Sequence, residues 1–510
     1  MQKINAPLRV MKMNCVSRVP GFDQSFEQAV EKDFVLPDYC PDVFRILKCR
    51  VEPRILSHSI NGSKLTVEAE AAVRVLYLSD QNGRINVLEH KLGFSKTFDL
   101  PADARSPLVR AAARLDYVNC RVVSRRRVDV RGAFTVRVRV TNEASSEFIT
   151  SAEGAGIQLR KSNTLCPARR FTASKRVTVI EELELGGAKP AVGAVLRSSC
   201  SVSQTEQKVI AGKLITKGEA TVSLLYTPAG DGSPEAMRFG IPYSQIIDIE
   251  GIDESCAVDI ETVCAACNIL PRAEEPERME CELILLINCE AVKYESCEAV
   301  TDAFSTTCSC TCEPSETPLG SVPVRLKESF RLNGELTAPD PGIGSVISAW
   351  GETSSVSVRE ENGKSIVSGS LTVSAVGTDT NGTALWLETD IPFEYETEGG
   401  LIPEAEVSGG ECSFRLTERN RAEVECELTV TGICSAQGDI IPLRSLEVGE
   451  PEERPGGRRC AVTLCRVGPG EELWELAKRC RTSVSAITEE NDLASDKTEA
   501  GGMLLIPMID

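Results

Sequence analysis

Residues 60–80 read INGSKLTVEAEAAVRVLYLSD, and this stretch decides the fold class. Apolar and polar residues alternate over 64–78, and Val and Leu are frequent, which is typical of a β-strand. An Asn-Gly pair ending at Gly62 precedes the strand, and a second one ending at Gly83 follows it. Asn-Gly between alternating segments is a strong hairpin signal, because type I′ turns need positive φ at both central residues. The stretch therefore predicts a strand between two hairpin turns.

The same pattern recurs twice. Residues 210–230 read IAGKLITKGEATVSLLYTPAG, and residues 361–380 read ENGKSIVSGSLTVSAVGTDT. Four landmarks repeat at intervals of 149 to 151 residues: a proline before an apolar segment, a glycine in each of two turns, and an aromatic residue. They are Pro41, Pro190 and Pro341; Gly62, Gly212 and Gly363; Gly83, Gly232 and Gly382; and Phe94, Tyr243 and Phe393. A fixed period indicates repeated structural units, so we expect a mainly β fold with three copies of one antiparallel, β-rich domain.

Shifts in composition set the expected domain boundaries. We predict an N-terminal arm that is irregular or an edge strand, three repeats, a flexible linker rich in charge, Pro and Gly, and a small mobile module. The expected ranges are, in that order, 1–33; 34–141, 175–298 and 324–440; 441–459; and 460–510. Further linkers are expected at 153–174 and 301–321. A short apolar turn of helix is expected at 41–47, where the sequence reads PDVFRIL.

The last fifty residues carry the most compact local signature. Val462–Val467 alternates like a short strand, and Gly470 ends that pattern and starts a helix. Apolar residues then follow at helical spacing. They are Leu473, Leu476, Ala477 and Cys480. A second helix is expected at 484–491 and a closing strand at 503–506, so the module should be α+β in the order strand, helix, helix, strand.

The composition narrows the classes of function. Of the 510 residues 42% are hydrophobic, and the net charge is −19. An acidic average surface repels nucleic acid and anionic membranes, so binding to either is not expected. The sequence contains no secretory signal and no run of about 18 apolar residues, so we expect a cytosolic chain without a transmembrane segment. In that compartment the 21 cysteines should be reduced core thiols rather than a disulfide framework.

No motif for catalysis or metal binding stands out. Neither of the two histidines accompanies a nucleophile motif. Cys264 and Cys267 form a C-x-x-C pair, but Cys308, Cys310 and Cys312 begin 41 residues further along, which is poor spacing for zinc. Core or linker thiols are the favoured interpretation, and oxidative cross-linking of the run at 308–312 is a weaker alternative. We expect no enzyme activity, no catalytic or metal-binding residue and no cofactor.

Repeat one carries a basic run. Ten arginines lie between Arg105 and Arg139, against Asp116 and Asp129, and several share one face of a predicted strand. A solvated strand face is the favoured interpretation. Contact with an acidic partner, or with the chain's own repeats, is the alternative.

The C-terminal module matches a known pattern at its opening, at the end of its second helix and at its close. The matching residues are Cys465, Val467, Gly470, Glu471, Glu472, Leu473, Trp474, Asn491, Gly502, Leu505, Ile506 and Pro507. These residues resemble the LysM domain, which opens with an aromatic, a valine and Gly-Asp-Thr-Leu-Trp and closes with Gly-x-x-Leu-x-Ile-Pro. LysM domains generally bind N-acetylglucosamine polymers beside the loop before the first helix.

The resemblance implies a set of residues that bind a partner or a glycan. They are Gly470, Glu471, Glu472, Leu473, Trp474, Asn491, Gly502 and Ile506. Two departures make sugar binding less expected: Cys465 replaces the aromatic residue, and Glu471 and Glu472 replace Asp-Thr. Trp474 could complete the core of the module or anchor a partner, and the sequence leaves both open.

Residues 31–47 read EKDFVLPDYCPDVFRIL. This segment resembles the motif of the SPOCS domain, found in spore-coat proteins of endospore-forming Firmicutes, and repeats two and three keep it in part. Three such domains followed by one LysM domain resemble the SipL-like family of Clostridia. The resemblance implies a non-enzymatic scaffold for spore-coat morphogenesis, in the mother-cell cytoplasm at the forespore surface and in the coat.

The resemblance also implies protein partners. The LysM-like module is expected to dock onto SpoIVA, the ATPase that polymerises as the basement layer of the coat. The SPOCS repeats would support assembly with other coat proteins. The alternative is a cell-wall or cortex protein that binds peptidoglycan or other N-acetylglucosamine polymers, which is favoured only if the chain leaves the cytosol. The oligomeric state is left open.

Overall fold

The computed structural model describes the chain except for a few short segments, which are 1–7, 80–83, 102–103, 188, 231, 273, 276, 321, 435–438, 452–460, 469, 494–501 and 509–510. The described residues form 23 strands and two short helices. Their strand pairs are antiparallel. This confirms the predicted mainly β, antiparallel fold.

Repeat one consists of six strands in two three-stranded sheets. The strands are β1 (Arg9–Val35), β2 (Val43–Asn61), β3 (Lys64–Ser79), β4 (Ile85–Asp99), β5 (Leu108–Ser124) and β6 (Arg127–Glu153). One sheet is a meander in the order β2-β3-β4, and the other has the order β1-β6-β5. Apolar side chains of both sheets, among them Val73 and Phe134, form one buried core. The alternation that predicted the strands therefore places one face of each sheet inside.

Repeat two has the same arrangement. Its strands are β7 (Ile157–Glu184), β8 (Val192–Ile210), β9 (Lys213–Pro228), β10 (Glu235–Asp248), β11 (Cys256–Pro271) and β12 (Arg278–Ser305). The next strand along the chain, β13 (Cys308–Pro314), follows this repeat. The meander is β8-β9-β10, and the second sheet is β11-β12-β7. The tyrosine hydroxyls of both meanders donate to equivalent carbonyls, Tyr77 to Pro41 over 3.1 Å and Tyr226 to Pro190 over 3.0 Å.

Repeat three follows the same plan with one strand divided in two. Its strands are β14 (Val324–Thr337), β15 (Ile343–Glu361), β16 (Lys364–Asp379), β17 (Ala384–Glu396), β18 (Ala405–Ser408), β19 (Cys412–Glu418) and β20 (Arg421–Cys434). The meander is β15-β16-β17, and β20 lies between β14 on one side and β18 and β19 on the other. All three repeats are therefore sandwiches of the same topology.

The repeated glycine of the first meander turn has a conformational reason. The φ angle is 62° at Gly62, 76° at Gly212 and 77° at Gly363. L-residues with a side chain rarely adopt this left-handed region, so glycine is favoured at each turn. Asn362 also has a positive φ, of 54°, which gives the pair of positive angles of a type I′ turn. The second turn of repeat one, with Gly83, lies outside the described residues.

The helical turn predicted at 41–47 is wrong, because β2 begins at Val43. Register shifts after Val43 and after Ile46 each add one residue to the strand. Two bulges three residues apart give apolar side chains a spacing of three, which the sequence pattern could not distinguish from a helix. β8 and β15 carry shifts at the equivalent places.

Three segments predicted as linkers are strands, and the N-terminal arm, expected to be irregular or an edge strand, lies in the edge strand β1 of its sheet. The range 1–33 contains most of β1, the range 153–174 contains the start of β7, and the range 301–321 contains the end of β12 and all of β13. The linker at 441–459 contains β21 (Leu443–Pro451), and the rest of that linker from 452 lies outside the described residues. Each pair of these strands buries only one narrow face, so its other positions carry small and polar residues. The sequence pattern therefore did not indicate strands there.

These strands form three two-stranded ribbons beyond the sandwiches. Ribbon one pairs the start of β1 with the end of β6, ribbon two pairs the start of β7 with the end of β12, and ribbon three pairs β13 with β21. Each ribbon has a bulge at the equivalent position, where one residue has no partner in the strand pairing. These residues are Thr150, Thr301 and Arg444. The ribbons share a small core. It includes Ile149, Val300 and Leu443, and Ala152, Ala303 and Leu446.

The three sandwiches close into a ring. β4 lies against β8, β10 against β15, and β17 against β2, so the third meander strand of each repeat contacts the first strand of the next. Equivalent positions of the three meanders meet in one apolar cluster. They are Leu47, Leu196 and Ile347; Leu76, Leu225 and Val376; and Val87, Ala236 and Trp386. Because each contact is head-to-tail and the last one returns to the first repeat, the ring has approximate threefold symmetry.

The C-terminal module has the predicted order of elements. They are β22 (Val462–Val467), α1 (Leu473–Cys480), α2 (Val484–Glu490) and β23 (Gly502–Pro507), and β22 pairs antiparallel with β23. The first helix begins at Leu473 rather than at Gly470, because Gly470 has a φ of 79° that no right-handed helix accommodates. Within the described residues, no helix is long and apolar enough to cross a membrane.

Candidate functional site

The C-terminal module packs on ribbon two. Phe304 of β12 joins the core of the module, where it lies with Leu473, Leu476 and Ile487. Its ring is 5.0 Å from the ring of Trp474, centroid to centroid, at an interplanar angle of 68°. This edge-to-face contact is a favourable geometry for two aromatic rings. The module is therefore docked on the repeats, and the prediction that it is mobile is wrong.

Asp302 is the polar centre of this contact. Trp474 donates from Nε1 to Oδ2 of Asp302 over 2.7 Å, and Lys478 donates to both carboxylate oxygens over 2.8 and 2.9 Å. Burial disfavours the charged carboxylate, but the hydrogen bonds from Lys478 and Trp474 outweigh it and lower the pKa of Asp302. We call Asp302, Phe304, Trp474 and Lys478 the latch.

The loop before α1 is also occupied by the chain itself. Glu472 forms an ion pair with Arg160 of β7 over 2.9 Å. Glu471 accepts from the backbone N–H of Gly468 over 3.0 Å and pairs with Arg479 over 2.9 Å. The backbone hydrogen bond from Gly468 is the main cause of the lowered pKa of Glu471. Both carboxylates that replace the Asp-Thr of LysM domains thus have partners within the chain.

The other predicted site residues serve the fold of the module. Leu473 and Ile506 are fully buried. Asn491 donates to the carbonyl of Leu505 over 2.6 Å and accepts from its N–H over 2.7 Å, which fastens the end of α2 to β23. Gly502 pairs with Val467 at the start of β23. The structure thus brings Glu472 and Trp474 together at ribbon two, whereas the remaining residues shape the module.

The sequence reasoning missed the outer face of the module. Val462 and Leu464 on β22, and Met503 and Leu505 on β23, are 38%, 57%, 56% and 40% exposed. Leu464 lies directly opposite Leu505, and the exposed Arg466 lies opposite Met503. We call these five residues the outer face. The sequence of β22 contains a signal for this face, because apolar residues occur on both sides of the strand. A strand with one solvated face normally carries polar residues on that face.

Comparison with family models gives two matches. The SipL, SPOCS domain matches residues 42–123 and 191–269, and the LysM domain matches residues 465–507. The chain is SipL-like, and it combines SPOCS domains with a LysM domain. No curated protein and no solved structure shows significant similarity to it. The two SPOCS matches span β2 to β5 and β8 to β11, which are equivalent parts of repeats one and two.

The SPOCS motif of repeat one forms an exposed turn between β1 and β2. The guanidinium of Arg126 holds this turn by donating to the carbonyls of Leu36, Pro37 and Cys40 and to Asp42. Tyr39 is 87% exposed at its tip. The turn is therefore a rigid surface feature of the first SPOCS domain.

The basic run of repeat one is largely neutralised within the chain. Arg127 pairs with Asp33, and Arg137 with Asp23, both across the β1–β6 pair. Arg139 reaches Glu404 of repeat three. These contacts favour the alternative in which the arginines bind the chain's own elements.

The cysteines of the two candidate zinc-binding segments lie in two separate apolar cores. Cys264 and Cys267 belong to the core of repeat two, and Cys310 and Cys312 belong to the ribbon core. Among the described residues, no group of three or more His, Cys, Asp or Glu could hold a metal ion. Cys412 and Cys426 form a disulfide between β19 and β20, so the expectation of reduced thiols is wrong for this pair.

Proposed function

We propose that the protein is a non-enzymatic scaffold for spore-coat morphogenesis, and that it binds a SpoIVA-like coat ATPase through its LysM domain. SPOCS and LysM domains are non-catalytic binding modules, and together they fit a role in sporulation. The proposed location is the mother-cell cytoplasm at the forespore surface, and later the coat. The SPOCS ring would support the assembly with other coat proteins.

The outer face is the observation that carries the proposal. Leu464 and Leu505 expose apolar side chains side by side, and Arg466 adds a positive charge at the edge of the patch. Clustered apolar side chains with a charged rim are typical of protein interfaces, where a few buried anchors supply most of the binding energy. The side chains of the outer face remain exposed while the latch holds the module on ribbon two. We infer that the partner presents an apolar surface bordered by acidic side chains.

The latch also bears on the choice between a protein and a glycan. A sugar bound beside the loop before α1 would compete with the contacts that Glu472 makes with Arg160 and Trp474 makes with Asp302. Because these internal contacts would have to break before a sugar could bind, they favour a protein partner that binds at the outer face instead. The alternative function, binding of peptidoglycan or N-acetylglucosamine polymers, is supported by the LysM match and by the intact fold of the module.

Co-purification with a SpoIVA-like ATPase tests the proposal. Leu464→Lys should abolish capture of the ATPase by the full chain, because it places a charge at the centre of the outer face. The matched control is Leu416→Lys, which changes an exposed leucine of β19 in repeat three and should leave capture intact. The proposal would be contradicted if the Leu464→Lys variant captured the ATPase as well as the wild-type chain does. It would also be contradicted if the wild-type chain and this variant both bound N-acetylglucosamine polymers and neither captured the ATPase.

A further inference from the structure

Two cysteines of ribbon three lie beside the latch. The thiols of Cys310 and Cys312 on β13 are 3.9 Å apart, sulfur to sulfur. The two residues alternate along one strand, so their side chains leave the same face of it. Both belong to the small core that the three ribbons share. Each is only partly buried, so a small reagent can reach the pair.

One residue of β12, Ala303, connects this thiol pair to the latch. It lies between Asp302 and Phe304 in the sequence. Its N–H donates to Oδ1 of Asp302 over 2.8 Å, which is the carboxylate at the polar centre of the latch. Its carbonyl accepts from the thiol of Cys312 over 3.3 Å and lies 4.0 Å from the sulfur of Cys310. A change at either sulfur therefore acts on the backbone that carries two latch residues.

The two thiols differ in acidity. The hydrogen bond from Cys310 is the main cause that lowers the pKa of Cys312 to about 7, and the same bond is the first cause of the raised pKa of Cys310. The charge of Asp302 raises the pKa of Cys312 and that of Lys478 lowers it, so the latch acts on this thiol. A thiolate beside a neutral thiol suits thiol–disulfide exchange, since the thiolate attacks and the second thiol resolves the mixed disulfide.

We propose that Cys310 and Cys312 are an oxidation site that exchanges with a small disulfide, and that the disulfide formed between them loosens the latch. The thiolate of Cys312 attacks one sulfur of the reagent, the S–S bond of the reagent breaks, and one small thiolate leaves. The sulfur of Cys310 then attacks the mixed disulfide, loses its proton and releases the second small thiolate. Two protein thiols are oxidised, one small disulfide is reduced, and the two protons pass through solvent to the two small thiols.

Closure of the disulfide changes the contact with Ala303. The two sulfurs have to approach from 3.9 Å to about 2.05 Å, and neither carries a proton afterwards. The carbonyl of Ala303 therefore loses its thiol donors. Alternate residues of an extended strand are about 6.6 Å apart, near the upper limit for a disulfide, so β13 has to bend where it lies against β12. Both changes disturb the segment that presents Asp302 and Phe304 to the LysM domain, so the oxidised chain holds this domain less tightly.

Peptide mapping and amide hydrogen exchange of the full chain test the proposal. The protein with reduced thiols is incubated with oxidised glutathione and then unfolded, and the remaining thiols are alkylated. Fragmentation of the peptide that contains β13 should show Cys310 joined to Cys312, with Cys308 alkylated. Amide exchange in α1 of the oxidised, folded chain should accelerate roughly fivefold, the effect of losing about one hydrogen bond. A reductant should reverse the acceleration.

Two variants separate this disulfide from oxidation elsewhere in the chain. The double variant Cys310→Ser, Cys312→Ser keeps hydroxyl donors for Ala303 but cannot form the disulfide, so glutathione should leave exchange in α1 unchanged. The matched control is Cys308→Ser on the same strand, which should respond as the wild-type chain does. The proposal is overturned by a disulfide that includes Cys308, by glutathione adducts without the Cys310–Cys312 bond, or by a response that persists in the double variant. Closure of the disulfide with no change of exchange in α1 would also overturn it.

Discussion

Trp474 of α1 donates a hydrogen bond to Asp302 of β12 over 2.7 Å, although 172 residues separate them in the sequence. This bond joins the LysM domain to the end of the second SPOCS repeat. It assigns the tryptophan of the LysM signature to a contact within the chain, where its ring also meets Phe304. The proposed partner-binding role is therefore assigned to the outer face rather than to Trp474.

Loss of the latch should free the LysM domain without unfolding it. Asp302→Ala removes the acceptor for Trp474 and Lys478, and we expect the docked state to lose about 1 to 2 kcal/mol, allowing for solvent screening of the ion pair. Amide hydrogen exchange should then accelerate in α1 and at the end of β12. The matched control is Glu298→Ala on the same strand, which removes an exposed pair with Lys161. Equal effects of the two variants would contradict the latch.

Leu473→Ala should unfold the LysM domain. Leu473 is fully buried against Leu476, Ile487 and Phe304, and truncation of a buried leucine costs about 2 to 5 kcal/mol. This is a large fraction of the stability of so small a domain. Thermal unfolding followed by circular dichroism should show the loss of helix in this variant. Leu464→Ala, at an exposed position, should leave the spectrum and Tm unchanged. A similar loss of helix in the Leu473→Ala and Leu464→Ala variants would refute the assignment of Leu473 to the core.

Docking of the LysM domain should weaken in acid. The pKa of Asp302 is lowered from its usual value of 3.8, so the ionised carboxylate stabilises the docked state at every pH above that value. The stabilisation is lost as pH falls through the lowered pKa. Trp474 fluorescence should therefore change below about pH 4, where the indole loses its charged acceptor. Asp302→Asn should remove this transition, and a transition that persists in the variant would assign it to another group.

Trp350 should be essential for closure of the ring. Its side chain is fully buried in the apolar cluster shared by the three repeats, and the guanidinium groups of Arg50 and Arg197 lie over its ring. Trp350→Ala should cost about 3 to 5 kcal/mol and allow the repeats to separate. Limited proteolysis should then cut between repeats. Trp386→Ala, at the partly exposed neighbour, should cost less, and an equal cost would contradict the central position of Trp350.

The sequence allowed the strands to be predicted, but not their assembly. Alternation around Val73 and the glycine period indicated the meanders, because these are local properties of the chain. The ring was not predictable, since it depends on Leu76, Leu225 and Val376 meeting across about 300 residues. The ribbons were missed because small and polar residues are frequent in their strands and because bulges such as the one at Thr301 interrupt the alternation. The site was predicted in part: Trp474 was singled out, whereas its acceptor Asp302 had no local signal.

Calorimetric titration of the full chain, once with a SpoIVA-like ATPase and once with N-acetylglucosamine oligomers, tests the central claim most directly. The account predicts saturable binding of the ATPase that Leu464→Lys weakens by roughly thirtyfold or more, the loss of a hot-spot contact of about 2 kcal/mol. It predicts no measurable heat with the oligomers while the latch between Trp474 and Asp302 is closed. Saturable binding of the oligomers by the wild-type chain, with none of the ATPase, would contradict it.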